Sequence, residues 1–126
     1  VFTQSCSLFV PFVEEGWIDK DVTRRVAAEY LGPIRKARVD TLILGCTHYP
    51  VLKKAIAEFM GDGTVLVDSG EEAARVVDVL VSESGMKAER GVTGIRFLVT
   101  DDPGHFARVG EAFLGVRISD VEKVML

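Results

Sequence analysis

The sequence predicts an α/β fold, an open parallel sheet with helices on both of its faces. Three observations carry this. Short apolar runs alternate with segments of helical period along the chain. The runs at 41–44 and 65–67 are continuous, as in strands covered on both sides. Each is followed closely by a helix-start signal, Pro50 after the first and Ser69 after the second.

In chain order, Val22, Val26, Tyr30 and Leu31 form one helical stripe over Asp21 to Leu31, which Gly32-Pro33 interrupts. Thr41-Leu-Ile-Leu44 is the first strand. From Pro50 the period turns helical, with Leu52, Ile56, Phe59 and Met60 on one side and Lys53, Lys54 and Glu58 elsewhere. Gly61-Asp62-Gly63 makes a turn, and Val65-Leu-Val67 is the second strand. Ser69 and Glu72 have the spacing of a capping box, and Ala73, Val76, Val77, Leu80 and Val81 are the expected buried stripe of the next helix. A loop over Gly85 to Gly94 leads to a third strand, Ile95 to Thr100. Asp101-Asp-Pro-Gly104 then opens a helix with Phe106, Val109, Phe113 and Leu114 inward, and the tail from Val116 to Leu126 reads as an edge strand. There is no internal repeat and no low-complexity stretch.

Composition bounds the function. The 126 residues suit one domain or a piece of a larger one, and Val1 in place of a starting Met reads as a processed or truncated piece. Hydrophobic residues make up 48% and charged residues 27%, enough to build a core and far from the signature of disorder. The net charge of −4, with basic residues scattered, argues against a nucleic-acid groove. No apolar run is long enough to span a bilayer and no signal peptide opens the chain, so a soluble, cytoplasmic protein without a membrane partner is expected. Cys6 and Cys46 read as free thiols. With His48 and His105 they lack the paired spacing of a zinc site, so no metal is expected.

Ligands of open parallel sheets bind at the carboxyl ends of the strands. Three segments lie there: Gly45-Cys46-Thr47-His48, Asp68-Ser69-Gly70 and Thr100-Asp101-Asp102. The first is the richest. Cys46, between a strand end and a helix start, has the setting that favours thiolate. Thr47 offers a hydroxyl and a backbone N–H to a carboxylate, His48 is a natural acid/base helper, and Gly45 permits close approach. Elsewhere structural readings suffice. Cys6 is expected to be a buried hydrophobe, Asp68-Ser69 a strand end with a cap, and Asp101-Asp102 a helix-start pair. His105 is expected to be a solvated turn residue, and Trp17 core or interface.

Leu42-Ile-Leu-Gly-Cys-Thr-His-Tyr-Pro50 with Val51-Leu52 resembles the second cysteine motif of bacterial glutamate racemases. Leu8-Phe-Val-Pro-Phe-Val-Glu-Glu-Gly16 looks like the stretch preceding that motif, and Val67-Asp-Ser-Gly70 and Thr100-Asp-Asp with Phe106 match in order. Ser7 stands where a proline is common. In the related aspartate racemases Glu usually occupies the place of His48.

The resemblance implies a cofactor-independent amino-acid racemase of two similar α/β domains with glutamate between them. Two thiols on opposite faces of the α-carbon then exchange protons with it. By this likeness Cys46 abstracts from L-glutamate, Thr47 binds the substrate carboxylate and His48 assists proton handling. The Cys-Asn-Thr segment and early Asp-Ser-Gly of the family's amino-terminal half are absent, and Cys6 does not match the first. The chain thus resembles a carboxyl-terminal half, inactive alone. Residues 1–68 are expected in the second domain and 69–126 in a segment returning to the first. The implied partners are the amino-terminal half and a second subunit in a homodimer, and the implied role is D-glutamate supply for peptidoglycan. Two rivals stay open, a single-thiol decarboxylase or isomerase of the same superfamily and a non-catalytic assembly fragment.

Overall fold

The computed structural model describes residues 1–88 and 94–126. The chain divides into two compact units, Val1–Ala73 and Ala74–Leu126.

In the first unit the elements are α1 (Phe9–Glu14), α2 (Asp21–Lys36), β1 (Thr41–Leu44), a 3₁₀ helix (Tyr49–Leu52), α3 (Lys53–Met60) and β2 (Val65–Asp68). β1 and β2 pair in parallel with Thr41 opposite Val65 and Leu44 opposite Asp68. Alternation then sends Leu42, Leu44 and Leu66 toward a core built with Phe9, Leu31 and Ile56. The opposite sheet face carries Ile43, 67% exposed, and Val65, 64% exposed. Continuous apolar character shows that both faces are fit for burial, and among the described residues of the first unit one of them is packed.

α2 also corrects the sequence reading, because it runs through Gly32-Pro33 to Lys36. Proline removes one backbone hydrogen bond, yet Leu31 and Ile34 are 3% and 6% exposed and pin the last turns to the core. α1 is an element the periodicity did not announce. It is six residues long, with Phe9, Phe12 and Val13 buried, and Pro11 falls in its first turn, where a missing N–H costs nothing. The helix expected from Pro50 begins as a 3₁₀ turn, with α3 proper starting at Lys53. Trp17 stacks on Phe12 with ring centroids 5.8 Å apart. It remains 43% exposed, while its carbonyl accepts from the hydroxyl of the fully buried Thr23.

α4 (Ser69–Glu83) follows β2 directly, and the division between the units falls inside it. Asp68 caps its start: the carboxylate accepts from the Gly70 N–H at 2.8 Å and the Glu71 N–H at 3.3 Å. The stripe expected to be buried is open, with Val76 58%, Val77 56% and Leu80 57% exposed. Periodicity marks the face that wants cover, and among the described residues no side chain of α4 is buried.

In the second unit β3 (Phe97–Val99), α5 (Pro103–Leu114) and β4 (Val121–Lys123) form a βαβ arrangement, and β3 and β4 pair in parallel. The expected third strand and tail strand are both present, in a sheet of their own rather than added to β1 and β2. Asp102 caps α5 by accepting from the Gly104 N–H at 2.8 Å. Its carboxyl is held below the usual carboxylate range, first by that backbone bond. Phe106 lies against Phe97, with centroids 6.0 Å apart. Phe113 and Leu114, expected inward, are 40% and 53% exposed. His105 is not a turn residue but part of the first turn of α5, with Nδ1 3.1 Å from Arg108. Part of the loop expected over Gly85 to Gly94 lies outside the described residues.

No described helix is long and apolar enough to cross a membrane. Among the described residues no group of three or more His, Cys, Asp or Glu side chains gathers as a metal site.

Candidate active site

β1 delivers the site. Leu44 at its end is 2% exposed and fixes the backbone, and Gly45, Cys46, Thr47 and His48 follow at the carboxyl edge of the sheet. The segment then winds tightly. The Tyr49 N–H donates to the Cys46 carbonyl at 3.1 Å and the Val51 N–H donates to the His48 carbonyl at 3.2 Å. Pro50, in the first turn of the 3₁₀ helix, needs no N–H partner there. Because Leu44 pairs with Asp68, the Cys46 segment and the start of α4 leave the same sheet edge side by side. An ion pair between Lys53 and Glu71, 2.9 Å long, links the start of α3 to the first turn of α4. It is half-exposed and adds little stability.

His48 is held from two directions. Its Nε2 lies 2.6 Å from Glu14 Oε1, and its Nδ1 lies 3.3 Å from Thr47 Oγ1. A carboxylate at that distance requires a proton on Nε2, so in the neutral ring Nδ1 accepts from the Thr47 hydroxyl. Glu14 thus sets both the orientation and the tautomer of the imidazole. Glu14 is a residue of this candidate site that sequence reasoning missed. It was visible only as part of the stretch ending in Glu14-Glu15-Gly16, without a role.

α1 brings Glu14 into place through its opposite end. Phe9 is 1% exposed and meets Tyr30 and Tyr49 edge to face, with centroids at 5.6 and 5.3 Å. Tyr49 directly follows His48, so one aromatic cluster locks α1 against the turn that carries Cys46 and His48. The Tyr49 hydroxyl donates to the Cys6 carbonyl at 3.4 Å. Burial, and next the neighbouring Cys6 thiol, push its phenol above the ordinary value.

The two thiols have different surroundings. Cys46 is partly exposed in the turn. Cys6 is 3% exposed, its Sγ 3.8 Å from the Gln4 carbonyl, and burial pushes its pKa up to about 11. That is a packing cysteine, in line with the reading from sequence.

Comparison with known proteins shows what the chain is similar to. No family model matches the chain. Over 127 aligned residues, spanning all of this chain, it is 46% identical to a glutamate racemase of Geobacter metallireducens and 46% identical to one of Syntrophus aciditrophicus. The chain is homologous to glutamate racemases. It spans 47% of the length of each of these two relatives, consistent with a carboxyl-terminal half of such an enzyme. Solved glutamate racemases share its fold. The structure from Francisella tularensis, in complex with D-glutamate, has a TM-score of 0.85 at 35% identity, covering 99% of this chain and 47% of that one. The Thermus thermophilus glutamate racemase, in complex with β-chloro-D-alanine, gives 0.85 at 41% identity, covering 98% and 47%. These likenesses extend across both units of the chain, so the glutamate racemase resemblance is not confined to the Cys-Thr-His turn.

Proposed function

We propose that this chain is the carboxyl-terminal half of a cofactor-independent glutamate racemase and carries one of its two proton-transferring thiols. The observation that supports this most directly is the turn after β1. There a partly exposed Cys46, Thr47 and a carboxylate-oriented His48 converge in a chain 46% identical to glutamate racemases. Residues 1–68 belong in this reading to the second domain of the enzyme, and 69–126 to the segment returning to the first.

The chemistry follows from the residues. Cys46 as thiolate takes the α-proton of L-glutamate, forming S–H and leaving a carbanion stabilised by the adjacent carboxylate. A second thiol, on the other half of the enzyme, delivers its own proton to the opposite face and becomes thiolate. The α-carbon has then lost one proton and gained one, and the reverse direction exchanges the two sulfurs' roles. Thr47 holds the substrate carboxylate through its backbone N–H and hydroxyl. His48, fixed by Glu14, handles the proton at Cys46. The product D-glutamate serves peptidoglycan synthesis in the cytoplasm, and the complete enzyme works as a homodimer.

The role of Cys46 is tested by pairing the chain with the remaining portion of the Geobacter metallireducens enzyme and following solvent deuterium uptake at the glutamate α-carbon by NMR. Exchange is expected with Cys46 present and at least a hundredfold slower with Cys46→Ser. Equal exchange by the two pairs would remove Cys46 from the reaction.

A further inference from the structure

α1 holds Glu14 at 2.6 Å from His48 Nε2, yet this helix is poorly equipped to hold itself. It has six residues, far below the length at which a helix is stable alone, and Leu8 at its N-cap supplies no side-chain acceptor. The Phe9 contact with Tyr49 presses α1 against the Cys46 turn, but apolar packing is non-directional and does not by itself set a hydrogen-bond length. Two hydroxyls of α2 supply the direction. At the start of α1 the Leu8 N–H donates to Tyr30 Oη at 3.4 Å, and Ser7 Oγ lies 3.2 Å from the same atom. Beyond its end the hydroxyl of the fully buried Thr23 donates to the Trp17 carbonyl, while the Trp17 N–H donates to the Phe12 carbonyl of α1 at 2.7 Å. Thr23 and Tyr30 stand at i and i+7 on one face of α2, about 10.5 Å apart along its axis, against a length of about 9 Å for α1.

We propose that Tyr30 and Thr23 are positioning residues for His48: their hydroxyls anchor the two ends of α1 and so hold the Glu14 carboxylate that fixes the imidazole tautomer. The proposal rests on the reading of His48 as the proton-handling neighbour of Cys46 for its consequence in the reaction, while the positioning itself is measured without turnover. Each hydroxyl acts through the helix. A short segment pinned at both ends moves as one body, and a carboxylate–imidazole bond weakens as it lengthens from 2.6 Å. Once α1 is released, Glu14 no longer requires the proton on Nε2, and the other tautomer, with Nδ1 donating to Thr47 Oγ1, competes.

The test reads the ring nitrogens of His48 by nitrogen NMR of the labelled 126-residue chain, with Glu14→Ala marking an imidazole that lacks its carboxylate. Tyr30→Phe keeps the ring against Phe9 and removes only the hydroxyl, and Thr23→Val removes the other hydroxyl at nearly constant shape. Thr64→Val deletes a similar hydroxyl bond, to the Val39 carbonyl, and controls for destabilisation alone. The native chain is expected to show one tautomer, with the proton on Nε2. Tyr30→Phe and Thr23→Val, native by circular dichroism, are each expected to move the nitrogen shifts part-way to those of Glu14→Ala, and Thr23→Ser to keep the native spectrum. Tyr30→Phe is also expected to speed Leu8 amide exchange about fivefold, the factor of one ordinary hydrogen bond, and Thr64→Val to change neither readout. Unmoved His48 nitrogens in Tyr30→Phe overturn the proposal, and this variant alone decides where Thr23→Val does not fold. An equal shift in Thr64→Val overturns it too, as does a native spectrum that matches Glu14→Ala. Because no step needs turnover, finding Cys46 and His48 idle in racemisation would leave these spectra standing and remove only the role proposed for them in the reaction.

Discussion

Selective alkylation separates the two thiols by their surroundings. At pH 8 a cysteine whose pKa is raised to about 11 has roughly one thiolate per thousand molecules, whereas an ordinary thiol near 8.5 has about one in four. Ionisation alone therefore slows Cys6 by about two hundredfold, and its 3% exposure restricts reagent access further. Replacing Cys46 with serine removes the partly exposed thiol and leaves Cys6 untouched. With iodoacetamide at pH 8, native protein is expected to take one label rapidly and Cys46→Ser to take essentially none, until denaturant exposes a second reactive thiol. Mass spectrometry of the labelled peptides reads the site. Labelling of Cys6 in native Cys46→Ser at more than a tenth of the rate of a free thiol would refute the assignment of Cys6 to the core.

Three further outcomes follow from particular contacts. Cys6 has a folded-state pKa above its unfolded value, so its neutral thiol stabilises fully below pH 9, and that contribution is lost as pH rises from 9 to 11. Urea melts are expected to show the native protein losing up to about 2–3 kcal/mol relative to Cys6→Ala across that window, and parallel pH profiles would contradict it. Asp68→Ala removes the α4 cap and is expected to cost about 1 kcal/mol in the same melts, with Asp68→Asn retaining most of it. Glu14→Gln keeps a hydrogen-bonding group beside His48 but removes the charge. In the reconstituted enzyme it is expected to lower kcat about tenfold with little change in KM, because Glu14 acts through His48, and an unchanged pH–rate profile would argue against that role.

The parts of the fold legible in the sequence were those fixed by local pattern. β1 and β2 showed as apolar runs, β3 and the α5 cap at Asp102 followed from their flanks, and the Cys46 turn was marked by its place between a strand and Pro50. What escaped was non-local. α2 continues past Pro33 because Leu31 and Ile34 are anchored in the core, a tertiary effect that propensity cannot register. Glu14 reaches His48 across 34 residues only because Phe9 clamps α1 to Tyr49. The stripe of α4 and the outer β1–β2 face were correctly recognised as apolar, but pattern alone does not say whether a chain contains their cover.

The central claim is that this chain supplies one thiol of a two-thiol racemase. It is tested most directly by incubating D-glutamate with the chain alone, with its complementary half alone and with both, and resolving the enantiomers by chiral chromatography. The account predicts L-glutamate only in the mixture and only with Cys46 intact. Interconversion by the 126-residue chain alone, above a Cys46→Ser control, would contradict it.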